Sequence, residues 1–249
     1  MFDRGHVLVT GALGGLGTAI VKRLLYDGAR VVATDRRLDT QDAWLAGFDE
    51  AERARLRVHA LDVTKEDEVV GLATRLAGDG IAVAYLVNNA GVAGAAPPWS
   101  MSTKTFDVIL RVNLLGTFLC TRAFCGAMTE RGFGRIVNFA SLYAYRPGPG
   151  QAPYAAAKAG IVGYSHSTAS DLGPHGVTVN VIAPGLIWHE RLVGILPEAE
   201  VETVISSAPL QRAGEPREIT GTVAFLLSDD AGFITGQVIH VNGGLYMTG

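Results

Sequence analysis

Tyr154 and Lys158 stand four residues apart in Pro153-Tyr154-Ala155-Ala156-Ala157-Lys158, a run of small residues with good helix propensity. One turn of helix places both side chains on the same face. A phenol with its ordinary pKa of about 10 is a poor base at neutral pH. An ammonium about 5 Å away contributes roughly 3 kcal/mol at an effective dielectric near 20, which is about 2 pKa units. Tyr154 beside Lys158 is therefore able to exchange a proton with an alcohol or carbonyl oxygen at about pH 7 to 8. Such a pair is also common on helix surfaces, so its meaning depends on what else reaches the same place. Ser141 follows the apolar run Ile136–Ala140, Asn88-Asn89-Ala90-Gly91 follows another, and Asn113 sits in Arg111-Val112-Asn113-Leu114. All of these are able to converge on one rim.

A second cluster suits a nucleotide. After His6–Thr10 comes Gly11-Ala12-Leu13-Gly14-Gly15-Leu16-Gly17, leading directly into helix-compatible sequence. Glycines there let the backbone turn tightly and approach a pyrophosphate, and a helix N-terminus offers unpaired N–H groups and positive dipole. The spacing departs from G-x-G-x-x-G. The next strand-like run ends at Asp35, whose carboxylate is able to accept hydrogen bonds from both hydroxyls of an adenosine ribose and repels a 2′-phosphate. Arg36 and Arg37 follow and suit such a phosphate instead. With no basic residue inside the glycine turn, NAD is favoured over NADP.

Positioning these residues requires a regular framework. Short β-branched runs alternate with amphipathic ones: strands at His6–Thr10, Arg30–Thr34, Arg57–Leu61, Ala84–Val87, Arg135–Phe139, Val177–Ile182 and Gln237–Val241. Helices are expected at Thr18–Tyr26, Lys65–Leu76, Thr103–Thr129, Ala152–Leu172 and Pro216–Leu227. Strands without polar alternation, such as Val7–Val9, suit a parallel sheet covered on both faces. The expected fold is a single α/β domain over residues 1–249, a doubly wound, Rossmann-type parallel sheet with helices on both faces. Residues 186–212, irregular and containing Trp188, His189, Pro197 and Pro209, read as a substrate lid.

The composition favours small-molecule partners. The chain has 249 residues, 48% of them hydrophobic and 18% charged, and its net charge of −3 offers no reason to expect a nucleic-acid partner. Gly5–Val21 carries no Asp, Glu, Lys or Arg but is too short and glycine-rich to span a membrane. Cys120 and Cys125 have no neighbouring ligands for a metal and read as free thiols in a reducing cytoplasm. Gly163-Tyr164-Ser165-His166-Ser167 lacks the second glycine of a nucleophile elbow, and His189-Glu190 lacks the second histidine of a zinc motif.

Thr10-Gly11-x-x-x-Gly15-x-Gly17, Asp62-Val63, Asn88-Asn89-Ala90-Gly91, Asn113, Ser141, Tyr154-x-x-x-Lys158, Asn180 and Pro184-Gly185 appear in an order and spacing that resembles the short-chain dehydrogenase/reductase family. The resemblance covers nearly the whole chain. It implies hydride transfer between a nicotinamide cofactor and a secondary alcohol or ketone. Tyr154 is then the general acid/base, Ser141 holds the substrate oxygen, Lys158 binds the nicotinamide ribose, and Asn113 positions a relay water. Gly11, Leu13, Gly14, Gly15, Leu16, Gly17, Asp35, Arg36, Asp62, Val63, Asn89, Ala90, Gly91, Pro184, Gly185 and Ile187 bind the cofactor, with Asp62 at the adenine. Leu142, Tyr143, Gln151, Val92, Ala93, Leu186, Trp188 and His189 frame the substrate. His189 stands where the family commonly has a cofactor-binding threonine. Aromatic and aliphatic walls suggest an uncharged alcohol or ketone. The alternatives are an NADP-dependent carbonyl or 3-oxoacyl thioester reductase and a non-catalytic dinucleotide-binding protein. The resemblance also implies a homotetramer built on the helices at 103–129 and 152–172.

Overall fold

The computed structural model describes residues 2–188 and 198–248. Seven parallel strands, β1 (His6–Thr10), β2 (Val31–Asp35), β3 (Leu56–Ala60), β4 (Val83–Asn88), β5 (Gly134–Phe139), β6 (Val177–Pro184) and β7 (Val238–Val241), form one sheet in the order β3-β2-β1-β4-β5-β6-β7. The order reverses between β1 and β4, so the loops leaving their carboxyl ends diverge and open a crevice. Side chains alternate across each strand. Val7 and Val9 of β1 enter one core, with Ile20, Leu24, Val223 and Leu227, whereas Leu8 enters the opposite one, with Leu72, Leu86, Leu119 and Phe124. That double burial explains strands without polar alternation.

The helices are α1 (Gly15–Tyr26), α2 (Gln41–Leu45), α3 (Glu50–Ala54), α4 (Glu66–Gly78), α5 (Thr103–Leu110), α6 (Gly116–Glu130), α7 (Ala152–Leu172), α8 (Glu198–Ser207) and α9 (Pro216–Leu227). Helix α7 has the extent read from the sequence. Its buried stripe Pro153, Ala157, Ile161, Ser165 and Ala169 recurs every fourth residue, and Tyr154 and Lys158 occupy the adjoining stripe.

Three features differ from expectation. Helix α1 begins at Gly15, so two glycines assigned to the turn belong to its first turn. The long helix at 103–129 is interrupted by a π-helical turn, Arg111–Leu115. There Asn113 Nδ2 donates to the Ile109 carbonyl at 2.9 Å, a side-chain bond that competes with the regular ladder. The segment 186–212, expected to be irregular, contains α8; within it, residues 189–197 lie outside the described residues. The stretch Thr103–Glu130 is long and apolar enough to cross a membrane by composition, but Ile109, Leu119, Phe124 and Met128 are core residues of this sheet protein.

Candidate active site

Ser141 leaves the carboxyl end of β5 in extended conformation, and its Oγ accepts the Tyr143 N–H at 3.2 Å. Burial raises the Tyr154 pKa, and the nearby Ser141 side chain acts to lower it. The Tyr154 ring meets Tyr143 edge-on, with centroids 6.1 Å apart and planes at 81°. Lys158 is buried, donates from Nζ to the Phe139 carbonyl at 2.8 Å, and holds that nitrogen 5.5 Å from the Tyr154 ring centre. Asn113 closes the group from the π turn. Its Nδ2 donates to the Val92 and Ile109 carbonyls at 2.8 and 2.9 Å, while its backbone carbonyl accepts the Thr117 hydroxyl at 2.7 Å. Asn113 Oδ1 has no hydrogen-bond partner among the described residues although it is buried. A Cβ added at Gly91 would lie 2.7 Å from that oxygen and 3.5 Å from Lys158 Nζ, so only glycine lets the three approach. The four residues read as catalytic from the sequence therefore share one rim.

The electrostatics differ from the expected lowering of the Tyr154 pKa by Lys158. Burial lowers the Lys158 pKa from 10.5 to about 7, so at neutral pH only part of the population carries the ammonium. Burial raises that of Tyr154, partly opposed by the Ser141 side chain. Desolvation outweighs the attraction anticipated from spacing alone, because both groups lie beneath the same rim. This has a measurable consequence for the protein free of cofactor. In the unfolded chain Lys158 keeps its ordinary value of 10.5, against about 7 in the fold, so between those values the unfolded state holds a proton that the folded state has shed. Stability then rises with pH across the window and is lost as pH falls toward 7, by up to about 1.4 kcal/mol per pH unit from this residue. Urea denaturation of wild type and Lys158→Met at about pH 7 and pH 9 checks it: the stability of wild type relative to the variant should grow with pH. An unchanged difference would mean an unperturbed lysine.

The crevice above β1 and β4 fits a dinucleotide. Gly11 has φ +62°, and a Cβ at Gly17 would lie 2.1 Å from the Gly11 carbonyl oxygen, so α1 starts directly against the turn. Gly14 caps α1 without a side-chain hydrogen bond, and the first turn holds no acidic residue, which leaves N–H donors of Gly15, Leu16 and Gly17 available to a diphosphate. Asn89 Nδ2 donates to the Thr10 and Gly11 carbonyls at 3.0 and 3.1 Å, and Thr10 Oγ1 accepts the Asn89 and Ala90 N–H groups at 3.1 and 3.0 Å. Asn89 thus braces the glycine turn. Asp35 Oδ2 accepts the Leu13 N–H at 3.1 Å, which keeps its carboxylate at the end of β2. Arg37 pairs with Asp39 at 3.4 Å; burial pushes the Asp62 pKa up, but the Thr64 hydrogen bonds and the Arg36 charge outweigh it and lower it. Asp62 Oδ1 accepts the Thr64 hydroxyl and N–H at 2.7 and 3.0 Å, and Val63 packs on Gly116. On the far side Pro184 ends β6, Gly185 abuts Asn242, and Ile187 is buried in a bridge to Gly214. Asn180 is spent on the Ile234 carbonyl and Gln237 N–H, well inside the sheet.

A family model described as enoyl-(acyl carrier protein) reductase matches residues 11–246. The hydroxy(phenyl)methylsuccinyl-CoA dehydrogenase subunit BbsD of Thauera aromatica is 40% identical over 237 residues, 95% of this chain and 94% of its own. The chain belongs to the short-chain dehydrogenase/reductase family. Other members similar to it are the 3-oxoacyl-acyl-carrier-protein reductase FabG of Haemophilus influenzae, 36% identical over 97% of this chain and 98% of its own, and the acetoacetyl-CoA reductase of Allochromatium vinosum, 36% identical over 96% and 98%. A crystal structure provisionally assigned as a gluconate dehydrogenase from Agrobacterium tumefaciens superposes with a TM-score of 0.92 at 31% identity, covering 97% of this chain and 96% of its own. Like other short-chain dehydrogenases/reductases, the protein is a nicotinamide-dinucleotide oxidoreductase by family.

The residues expected to frame the substrate of this family member distribute around the rim. Tyr143 lies against Tyr154 and beside Gly148, and Gln151 caps α7 with its Oε1 buried and without a hydrogen-bond partner among the described residues. Leu186 and Trp188 exchange backbone hydrogen bonds with Gly214, and Trp188 keeps 41% of its surface exposed. His189 lies outside the described residues. Sequence reasoning expected Gly236–Gly244 near another subunit's pocket but missed Leu245 and Tyr246, which meet Arg146 and Tyr145 of the loop carrying Ser141 within the same chain. No local pattern signals them, since Arg146 and Leu245 are 99 residues apart.

Proposed function

We propose that the protein interconverts the 3-hydroxy and 3-oxo forms of an acyl thioester with NAD(H), Tyr154 exchanging the proton. The carrying observation is that relatives matching over nearly their whole lengths are named for CoA or acyl-carrier-protein substrates. This departs from the uncharged alcohol suggested by the pocket walls. Asp35, fixed at the end of β2, supports NAD(H). The bound dinucleotide supplies or accepts the hydride at the substrate's C3. In reduction Ser141 donates a hydrogen bond to the 3-oxo oxygen and Tyr154 delivers a proton to it; in oxidation Tyr154 withdraws that proton. Lys158, tethered to the Phe139 carbonyl, holds the nicotinamide ribose, and Asn113 Oδ1 offers the acceptor for a relay water. Residues 1–249 act as one domain, with 186–212 as the lid.

The purified protein assayed with acetoacetyl-CoA, simple ketones and secondary alcohols, each with both cofactors, tests this. The expected result is fastest turnover of acetoacetyl-CoA with NADH. Activity confined to uncharged ketones would overturn the thioester, and faster turnover with NADPH would overturn the cofactor assignment. A homotetramer is part of the reading: α5, α6 and α7 present an apolar groove of Leu110, Leu114, Leu115, Phe118 and Tyr164. Light scattering at micromolar protein should return about four times the chain mass of 26.2 kDa, and a monomer would refute the assembly. Cys120, whose thiol burial pushes up to about 12, and half-buried Cys125 are both unpaired, which suits a reducing cytoplasm.

A further inference from the structure

We infer that the C-terminal segment Asn242–Thr248 is a bracket that positions the catalytic loop of its own chain, with Arg146 and Tyr246 as the positioning residues. The inference rests on the reading of Ser141 and Tyr154 as the reacting pair. The loop from Ser141 to Gln151 folds on itself through a short turn at Leu142–Ala144 and then runs through Pro147-Gly148-Pro149-Gly150, where the Gly150 carbonyl accepts the Ala96 N–H at 3.1 Å. Side chains tie the part between, Tyr145 and Arg146, to the tail. Arg146 Nη1 donates to the Leu245 carbonyl at 2.9 Å. The Tyr145 ring stacks on Tyr246, with centroids 5.0 Å apart and planes at 25°, and both rings contact His240 of β7 at 4.8 and 5.0 Å.

The tail is itself held. Asn242 Nδ2 donates to the Tyr246 carbonyl at 3.0 Å and its Oδ1 accepts the Gly244 N–H at 2.9 Å, folding the segment back on itself. Gly244, at φ +88°, presses on Pro209 so closely that a Cβ there would lie 2.6 Å from the Pro209 ring, and the Gly243 carbonyl accepts the Leu210 N–H at 3.2 Å. On its other side Asn242 packs on Gly185, whose N–H donates to the Val241 carbonyl at 3.0 Å. One segment therefore touches three parts of the site: the Ser141 loop, the turn after β6, and the stretch following α8. Serine and tyrosine hydroxyls must meet one substrate oxygen, and a displacement of about 1 Å at such a site costs rate out of proportion to binding.

The test combines hydrogen–deuterium exchange with kinetics on the full chain. In Arg146→Ala and Tyr246→Ala, amides across residues 141–151 should exchange about tenfold faster, with those of β1 and α1 unchanged. With acetoacetyl-CoA and NADH, kcat should fall about tenfold while the Kd for NADH stays within about twofold. Arg146→Lys and Tyr246→Phe, which keep the donor and the stacked ring, should behave as wild type. The double alanine variant should be no slower than the slower single, because both act through one bracket. Unchanged exchange over 141–151, additive losses in kcat, or an NADH Kd that weakens in step with kcat would overturn the proposal. Arg146→Met, which keeps the stem and removes the donor, serves if either alanine variant fails to fold. Should wild type leave acetoacetyl-CoA untouched, the thioester reading fails, whereas the exchange measurement still decides the bracket.

Discussion

Tyr154→Phe should lower turnover by about 10³- to 10⁴-fold while NADH binds within about twofold of wild type. The variant removes one oxygen and leaves the ring, so the edge-on contact with Tyr143 and the neighbourhood of Lys158 Nζ persist. Ser141 still accepts the Tyr143 N–H at 3.2 Å, which keeps the expected loss of stability to about 1 kcal/mol. What disappears is the proton donor and acceptor. The pH dependence carries the same information. Burial holds the Tyr154 phenol above its ordinary value, so reduction, which needs the protonated form, should be flat across neutral pH, and oxidation, which needs the ionised form, should still be climbing above about pH 8. Steady-state rates in both directions and an NADH fluorescence titration check these points. Near-normal turnover by Tyr154→Phe would dismiss the mechanism.

Asp35→Ser should shift the ratio of kcat/KM for NADH over NADPH by about 10²- to 10³-fold toward NADPH. The carboxylate stands at the end of β2, anchored by the Leu13 N–H, where it is able to accept ribose hydroxyls and opposes a 2′-phosphate. Removing the charge ends that repulsion and leaves Arg36 and Arg37 next in the chain to pair with the phosphate. Arg37 must give up an exposed ion pair with Asp39, a contact worth about 1 kcal/mol or less. A serine hydroxyl is able to accept the Leu13 N–H in place of the carboxylate, so the glycine turn should hold. Initial rates with both cofactors measure the shift. A ratio unchanged within about threefold would show that Asp35 does not select the cofactor.

The sequence was most informative where a short period in the chain equals a direction in space. Apolar runs such as Val7–Val9 marked buried parallel strands, and the four-residue spacing of Tyr154 and Lys158 placed both on one stripe of α7, whose bounds were read as they stand. Boundaries slipped where the ends are set by partners: α1 starts early because Gly17 packs on the Gly11 carbonyl, and β6 extends to Pro184 because β7 continues alongside it. The π turn around Asn113 has no local signature, since the side-chain amide that bonds the Ile109 carbonyl is also held by the Val92 carbonyl of another loop.

By itself, the sequence determined the strand and helix rhythm, the glycine turn and the identities of the residues that meet at the rim, because each depends on neighbours within a few positions. Only the tertiary structure decided their electrostatic state and their support. Lys158 and Tyr154 are perturbed by burial, a property of the packed whole, and so their shifts oppose the one that an isolated helix implies. The catalytic loop is braced by a carbonyl 99 residues away. Contacts at that separation exist only once the sheet has brought β5 and β7 to either side of β6, so no local pattern announces them.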